Sequence, residues 1–286
     1  MFSRNRFRIL LPVLASTISC SVLEPAVPAA SFVHIDSISL ETDYGTHGSR
    51  SNNITDAWII YNNEFLGVFP LPADIPLIGE GPKTVSVKGG VYVNGQTGQR
   101  AAYPKYTSHD TTVTLVANSS VNLKPRATYI SSAQFPQIED FDDGSLSFET
   151  ANVNYAQLTI TSAGDPNALE GNSGKVTLDA NHAVFEVTSA SAFTLPLDIP
   201  IYLELDFKCS NEFHIGVYIT TAIGVVKSSM ITMNPTEGQW KKLYLSLNDV
   251  GAVQSSAILY KLYLEAQKSP AVTTSEIYLD NLKLVY

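Results

Sequence analysis

Charge, cysteine and helical periodicity are what this sequence has least of. Only 16% of its 286 residues are charged, and the balance is acidic: 18 Lys and Arg against 27 Asp and Glu, for a formal net charge of −9. No basic cluster interrupts that balance, so a nucleic-acid partner is excluded, because phosphates are bound by gathered cations. The two cysteines, Cys20 and Cys209, are too few for a secreted domain stapled by disulfides. Five histidines are scattered, and His34, His47 and His109 show no metal-ligand spacing. Apolar residues at helical spacing are nearly absent and alternation dominates, which predicts an all-β fold. Catalytic signatures are missing too: no Gly-x-Ser-x-Gly elbow, no Cys/His pair at a recognisable spacing, and no glycine-rich phosphate loop after a strand.

What is present begins at the N-terminus. Arg4, Arg6 and Arg8 precede a short apolar core at 9–15, interrupted by Pro12, and then small polar residues lead to Cys20. This is a secretory signal layout, too short to remain as a membrane span. It resembles a bacterial lipoprotein signal, with Thr17-Ile18-Ser19-Cys20 as the lipobox and Thr17 where Leu is usual. Cleavage after the Ala29-Ala30 pair is the alternative. The resemblance implies that residues 1–19 are removed and that Cys20 becomes a lipid-modified first residue, its acyl chains forming the anchor. Loss of the three arginines makes the mature chain more acidic still. Cys209 is then left as an inert thiol; a Cys20–Cys209 disulfide is the other possibility. Residues 20–31, with Pro25 and Pro28, form an extended tether. An acidic run after the acylated Cys is a surface-export signal in Bacteroidetes lipoproteins. Here only Glu24 is present, which leaves periplasmic and surface-exposed placement at the outer membrane both open.

Residues 32–133 form a first unit. FVHIDSISLE alternates cleanly, and DAWIIYNNEFLGVFPL reads as two strands joined at Asn62-Asn63, where asparagine tolerates the positive φ of a primed turn. Gly89-Gly90 interrupts a further strand and suggests a bulge. Short strands with regular turn signals predict a sandwich of immunoglobulin or fibronectin III kind. Residues 54–81, the later VKGGVYVNGQTGQRAAYPKY and the closing strand resemble an uncharacterised family of Bacteroidetes-type lipoproteins. That resemblance speaks to architecture and is silent on activity. Trp58, in an alternating apolar strand, is expected in the core. Arg100, Tyr103 and Tyr106 read as loop residues, either plain surface or binding groups.

Residues 134–286 form a second unit after a hinge at SSAQFPQ. Its ends, IEDFDDGSLSFE and SEIYLDNLKLVY, resemble the opening and closing strands of galactose-binding-like jelly rolls, the fold of many carbohydrate-binding modules. That likeness implies that the first and last strands pair. Alternation divides each intervening strand into two faces. Leu203, Leu205 and Phe207 oppose Tyr202, Glu204 and Asp206, and Leu243 and Leu245 oppose Lys242 and Tyr244. One face is core. The other is either plain outer surface, since Tyr, Trp and Thr suit exposed strands, or a sugar-binding face in which rings stack on C–H faces and polar groups meet hydroxyls. Its candidates are Tyr202, Asp206, His214, Tyr218, Trp240, Tyr244 and Tyr263. The jelly-roll resemblance also implies a structural Ca²⁺ at Asp140, Asp142 and Asp280; a solvated acidic turn is the alternative. Glu204 and Asp206 resemble the start of an E-x-D-x-x-E glycosidase strand, but Cys209 stands where the acid belongs, so no enzyme is expected. The expected function is a lipid-anchored envelope protein with a non-catalytic, glycan-binding jelly-roll module. The alternative is an assembly subunit that binds another envelope protein.

Overall fold

The computed structural model describes residues 29–249 and 251–286, and the signal, the lipobox and Cys20 lie outside the described residues. What is described is built almost wholly of β-strands. The first unit holds β1 (Ala30–Ile35), β2 (Ser39–Leu40), a single helical turn α1 (Tyr44–His47), β3 (Asp56–Tyr61), β4 (Glu64–Pro70), β5 (Ala73–Ile78), β6 (Gly81–Tyr92), β7 (Arg100–Ala102), β8 (His109–Leu115), β9 (Ser120–Asn122) and β10 (Arg126–Ala127). One sheet runs β5-β1-β9 and another β4-β3-β6-β7 with β8 also on β6; a two-strand pair joins β2 to β10. Val33, Ile35 and Ile75 from the first sheet and Ile59, Val85, Val87 and Val113 from the second fill the space between them. The alternation makes this possible, because every second residue of a strand reaches the same face.

Asn62 and Asn63 close the β3–β4 hairpin with φ of 48° and 66°, as a primed turn requires. The bulge expected at Gly89-Gly90 is not there: both pair in register with Ala57 and Asp56. The shift lies instead between Ile59 and Ile60, against β4. Gly90 answers a different need. A Cβ there would come 2.5 Å from Trp58 Nε1, so glycine makes room for the indole. Trp58 itself is half-buried on the outer side, its ring 5.8 Å from that of Phe65, and does not belong to the core.

The second unit is a jelly-roll-type sandwich of β11 (Gln137–Glu139), β12 (Phe148–Thr150), β13 (Thr159–Ile160), β14 (Gly174–Leu178), β15 (Val184–Ser189), β16 (Tyr202–Cys209), β17 (Phe213–Thr221), β18 (Gly224–Met233), β19 (Lys241–Ser246), β20 (Ala257–Gln267) and β21 (Ser275–Val285). One sheet is ordered β13-β14-β21-β16-β19, with β11 on β21, and the other β12-β15-β20-β17-β18. The opening and closing strands pair, Gln137 opposite Leu284. Leu203, Leu205, Phe207, Ile215, Val217, Leu243, Leu262 and Leu279 interlock between the sheets, all at most 3% exposed. Cys209 ends β16 as a buried free thiol, pushed up to about 11 by desolvation. Gln134, in the linker, exchanges two backbone hydrogen bonds with Tyr286, 2.7 and 3.1 Å, which ties the connection to the last strand.

Candidate functional site

The outward positions of β16, β19 and β21 carry Tyr202, Glu204, Asp206, Lys242, Tyr244 and Lys283. The first sandwich covers them. Tyr202 is 7% exposed, Asp206 4%, Tyr244 1% and Glu204 0%. Three of the expected sugar ligands, Tyr202, Asp206 and Tyr244, are therefore parts of an interface between the two sandwiches, not an open face. The physical reason is simple. Alternation reports that a strand has a polar-aromatic side; it does not report what lies against that side.

The interface is hydrogen-bonded throughout. Glu204 accepts from the hydroxyls of Tyr103 at 2.7 Å and Tyr129 at 2.8 Å. Tyr103 and Tyr106, expected in a loop, are buried, and Tyr103 meets Tyr202 and Tyr244 edge to face with centroids 4.8 and 4.9 Å apart. The Tyr244 hydroxyl accepts from the Asn53 amide at 3.0 Å. Lys283 donates to the Ser49 carbonyl, and its ammonium lies 5.4 Å from the Tyr129 ring centroid. Desolvation lowers Lys283 to about 8, against the pull of Glu204. β21 carries one residue more than β16 across this region, since Glu204 pairs with Lys283 and Asp206 with Asp280. Asn281 takes the extra position with φ 47°, and its side chain donates to Asp206 at 3.1 Å. Asp206 also pairs with Lys242 at 3.0 Å, both side chains at most 5% exposed.

Beside this network opens a cleft of about 770 Å³ between the sandwiches. The Asp206–Lys242 pair lies in its floor. The β6–β7 turn forms one wall, docked on β19: Asn94 donates its amide to the Tyr244 carbonyl at 2.8 Å and accepts from the Ser246 amide at 2.9 Å. Tyr92 stands in this wall, its hydroxyl bonded to Arg100 at 2.9 Å, while Arg100 pairs with buried Asp56. Opposite is Trp240, half-buried, its indole donating to the Asn167 carbonyl at 3.2 Å with Lys208 5.3 Å from the ring centroid. Asn52, Asn53, Gln96 and Asn234 complete the rim. Side-chain amides donate and accept at once, and two aromatic rings offer apolar faces. The cleft can thus hold a ligand rich in hydroxyls with apolar C–H faces. Of the seven expected residues, it holds Trp240 and Asp206. Asn52, Asn53, Tyr92 and Gln96 escaped sequence reasoning because they read as turn or strand-end residues; the amide density of SRSNN and VNGQTGQ was the one available signal.

His214, Tyr218 and Tyr263 lie on the opposite sheet and do not line the cleft, although β18 of that sheet reaches its edge with Ile231, Thr232 and Met233. Tyr263 lies over Gly216, where a Cβ would come 2.3 Å from the ring, and is 1% exposed. Lys227 caps it at 4.5 Å from the centroid while pairing with Glu186 at 3.0 Å and Glu265 at 2.6 Å. Tyr218 donates to Glu186, and His214 bonds Thr232 at 2.7 Å.

The three calcium candidates do not converge as a donor set. Asp140 and Asp142 both accept from the Tyr44 hydroxyl, at 2.7 and 3.2 Å. Asp280 is buried and accepts from Ser173 at 2.7 Å; desolvation pushes it up to about 7. Among the described residues no group of three or more His, Cys, Asp or Glu side chains is placed to hold a metal ion.

No protein-family profile matches the chain, and no curated protein does. Among solved structures, it is similar to the CBM22-2 xylan-binding domain from Paenibacillus barcinonensis Xyn10C, at 14% identity over 52% of this chain and 97% of that one, with a TM-score of 0.38. It is also similar to the family 11 carbohydrate-binding module from Clostridium thermocellum in complex with a β-1,3-1,4-mixed-linked tetrasaccharide, at 15% identity over 52% of this chain and 94% of that one, with a TM-score of 0.34. With identities and TM-scores this low, no ligand and no site is carried over from them.

Proposed function

We propose that this chain is a lipid-anchored envelope protein of the outer membrane, tethered through Cys20, that binds a glycan without catalysis in the cleft between its two sandwiches. The observation that supports this reading is the cleft itself: about 770 Å³, walled by Tyr92 and Trp240 and rimmed by amides. Catalysis is left out because Glu204, the carboxylate a glycosidase reading needs, is held by two tyrosine hydroxyls beneath the first sandwich. A glycan array on the full chain, followed by calorimetric titration of the best binder, tests the reading. Trp240→Ala and Tyr92→Ala are each expected to weaken binding about tenfold or more, the scale of one buried ring. An array with no signal above background, or binding that both variants leave intact, overturns it. The anchor is tested separately, by the intact mass of the membrane-extracted chain and its loss in Cys20→Ala.

A second reading, docking to another envelope protein, is favoured by the apolar tip of the β17–β18 hairpin. Ile223 is 99% exposed, and Val225, Val226 and Ile258 beside it are 54–62% exposed. Crosslinked capture of a stoichiometric partner, lost in Ile223→Asp with glycan binding retained, would favour this reading.

A further inference from the structure

Past Trp240 the cleft continues into a smaller depression of about 150 Å³, lined by Asn167, Lys208, Glu276 and Tyr278. Trp240 joins the two. It lines the cleft, its indole donates to the Asn167 carbonyl, and its ring lies edge-on to that of Tyr278 with centroids 6.4 Å apart. The chain is acidic, with a formal net charge of −9, yet the charges left over here are positive. Asp206 is the carboxylate that lines the cleft and Glu276 the one that lines the depression. Both are held by the protein's own cations: Asp206 by Lys242 at 3.0 Å, Glu276 by Lys175 at 2.7 Å. Glu237, in the turn before Trp240, is exposed and lines neither.

Two ammonium groups remain. Lys208 and Lys241 have no carboxylate within ion-pair distance among the described residues. Lys208 lies 4.6 Å from the Tyr278 centroid and 5.3 Å from that of Trp240. It donates to the Asn167 carbonyl at 2.8 Å and to the Asn167 side-chain oxygen at 3.2 Å. An ammonium has three donors, so one is still free. Asp165 acts on it from beyond ion-pair distance and itself accepts from the Asn167 amide at 2.8 Å. Lys241 is exposed in the cleft lining, near enough to Cys209 in the depression for its charge to act on the thiol.

We propose that the glycan bound here is an acidic one, whose anionic groups, carboxylate or sulfate, meet Lys208 and Lys241 beside the Trp240 ring. The proposal rests on the cleft reading above and names the class of sugar. Lys208 is half-buried and already fixed by Asn167, so an anion that meets it does not have to order a free side chain. A neutral sugar offers it only further hydroxyl oxygens of the kind Asn167 supplies. An anion offers the counter-charge it lacks, and a charge-assisted hydrogen bond is the stronger one.

The test presents the full chain with paired oligosaccharides: galacturonate, mannuronate and glucuronate oligomers beside their carboxyl-reduced twins, and sulfated galactans beside their desulfated twins. At least one acidic member is expected to bind about tenfold more tightly than its neutral twin, the scale of two partly exposed ion pairs. That advantage should shrink from low to high salt. The pair that shows it tells carboxylate from sulfate. In Lys208→Met/Lys241→Met the two twins are expected to bind within about twofold of each other. Lys227→Met/Lys261→Met removes the same charge from the opposite sheet and should keep the advantage, which separates a local contact from the field of the whole molecule. Circular dichroism verifies the fold of both variants. Neutral twins bound as tightly as acidic ones, or an advantage that survives the loss of Lys208 and Lys241, overturn the acidic class and leave the cleft a glycan site. Absence of binding to every oligosaccharide, acidic and neutral, overturns the cleft reading itself, and the acidic class falls with it.

Discussion

The two outer faces of the second sandwich were built from the same vocabulary and met opposite fates. On β16, β19 and β21, Glu204 takes two tyrosine hydroxyls, Asp206 pairs with Lys242, and Lys283 reaches across to Ser49, all beneath the first sandwich. On β15, β17, β18 and β20, Glu186 and Glu265 pair with Lys227, Tyr218 donates to Glu186, and Tyr263 packs on Gly216, with water above. The difference is solvent. Charges taken out of water must be fully bonded, or they cost several kcal/mol each. Charges left at the surface are screened and individually contribute little. A polar-aromatic strand face therefore does not identify a binding surface. In this chain one such face is the joint between the two sandwiches, and the cleft lies beside the joint.

The largest expected effect breaks the buried side of that comparison. Glu204→Ala leaves two buried tyrosine hydroxyls without this acceptor and removes a negative charge that favours the Lys283 ammonium. Removal of one partner of a buried charged network costs about 3–5 kcal/mol. Urea unfolding should show that loss. Glu204→Gln, which keeps an acceptor for the tyrosines, should lose distinctly less. A Glu204→Ala midpoint within the error of the native chain would show that the interface is not what holds these groups.

Much of this was legible in the alternation, and the rest was not, for reasons the residues make plain. Leu203, Leu205 and Phe207 went to the core and Tyr202, Glu204 and Asp206 to the other face, because strand geometry allows nothing else. Asn62-Asn63 marked a hairpin because few residues accept that backbone. What covers a face is a tertiary fact, set by residues more than a hundred positions away: Tyr103 reaches Glu204, and Asn53 reaches Tyr244. The same holds for the cleft, whose walls come from both halves of the chain and whose amides look like turn residues until the turn is seen to dock on β19. Trp58 was expected inside because its neighbours were apolar, yet its phase put it outward over Gly90.

A smaller effect sharpens the comparison through pH. Asp280, raised to about 7, holds its proton in the fold, whereas the unfolded carboxyl releases it near pH 4. Between those values the unfolded chain binds fewer protons, so this group makes stability fall as pH rises from about 4 to 7. Lys283, lowered to about 8, has the reverse sign. Between about 8 and 10.4 the unfolded chain binds more protons, and stability rises with pH. Subtracting the profile of Asp280→Asn from that of the native chain should isolate the first slope, and Lys283→Met the second. Coincident profiles would mean that neither group is as desolvated as its burial implies.

The smallest effect belongs to the open face. Lys227 pairs with two carboxylates and covers the Tyr263 ring, which looks like a stronger cluster than the single Asp206–Lys242 pair. Water reverses that ranking. Lys227 is about one-third exposed, and its partners can be rehydrated when it is removed. Lys227→Ala should therefore cost about 1 kcal/mol or less, with a further part of even that regained at high salt. Lys242→Ala, which leaves Asp206 at 5% exposure with the neutral Asn281 amide but without its counter-charge, should cost several times more and be indifferent to salt. Parallel urea titrations at low and high salt compare the two directly. Equal losses, or equal salt dependence, would mean that the joint between the sandwiches admits as much water as the outer face and that its charges do not gain from being covered.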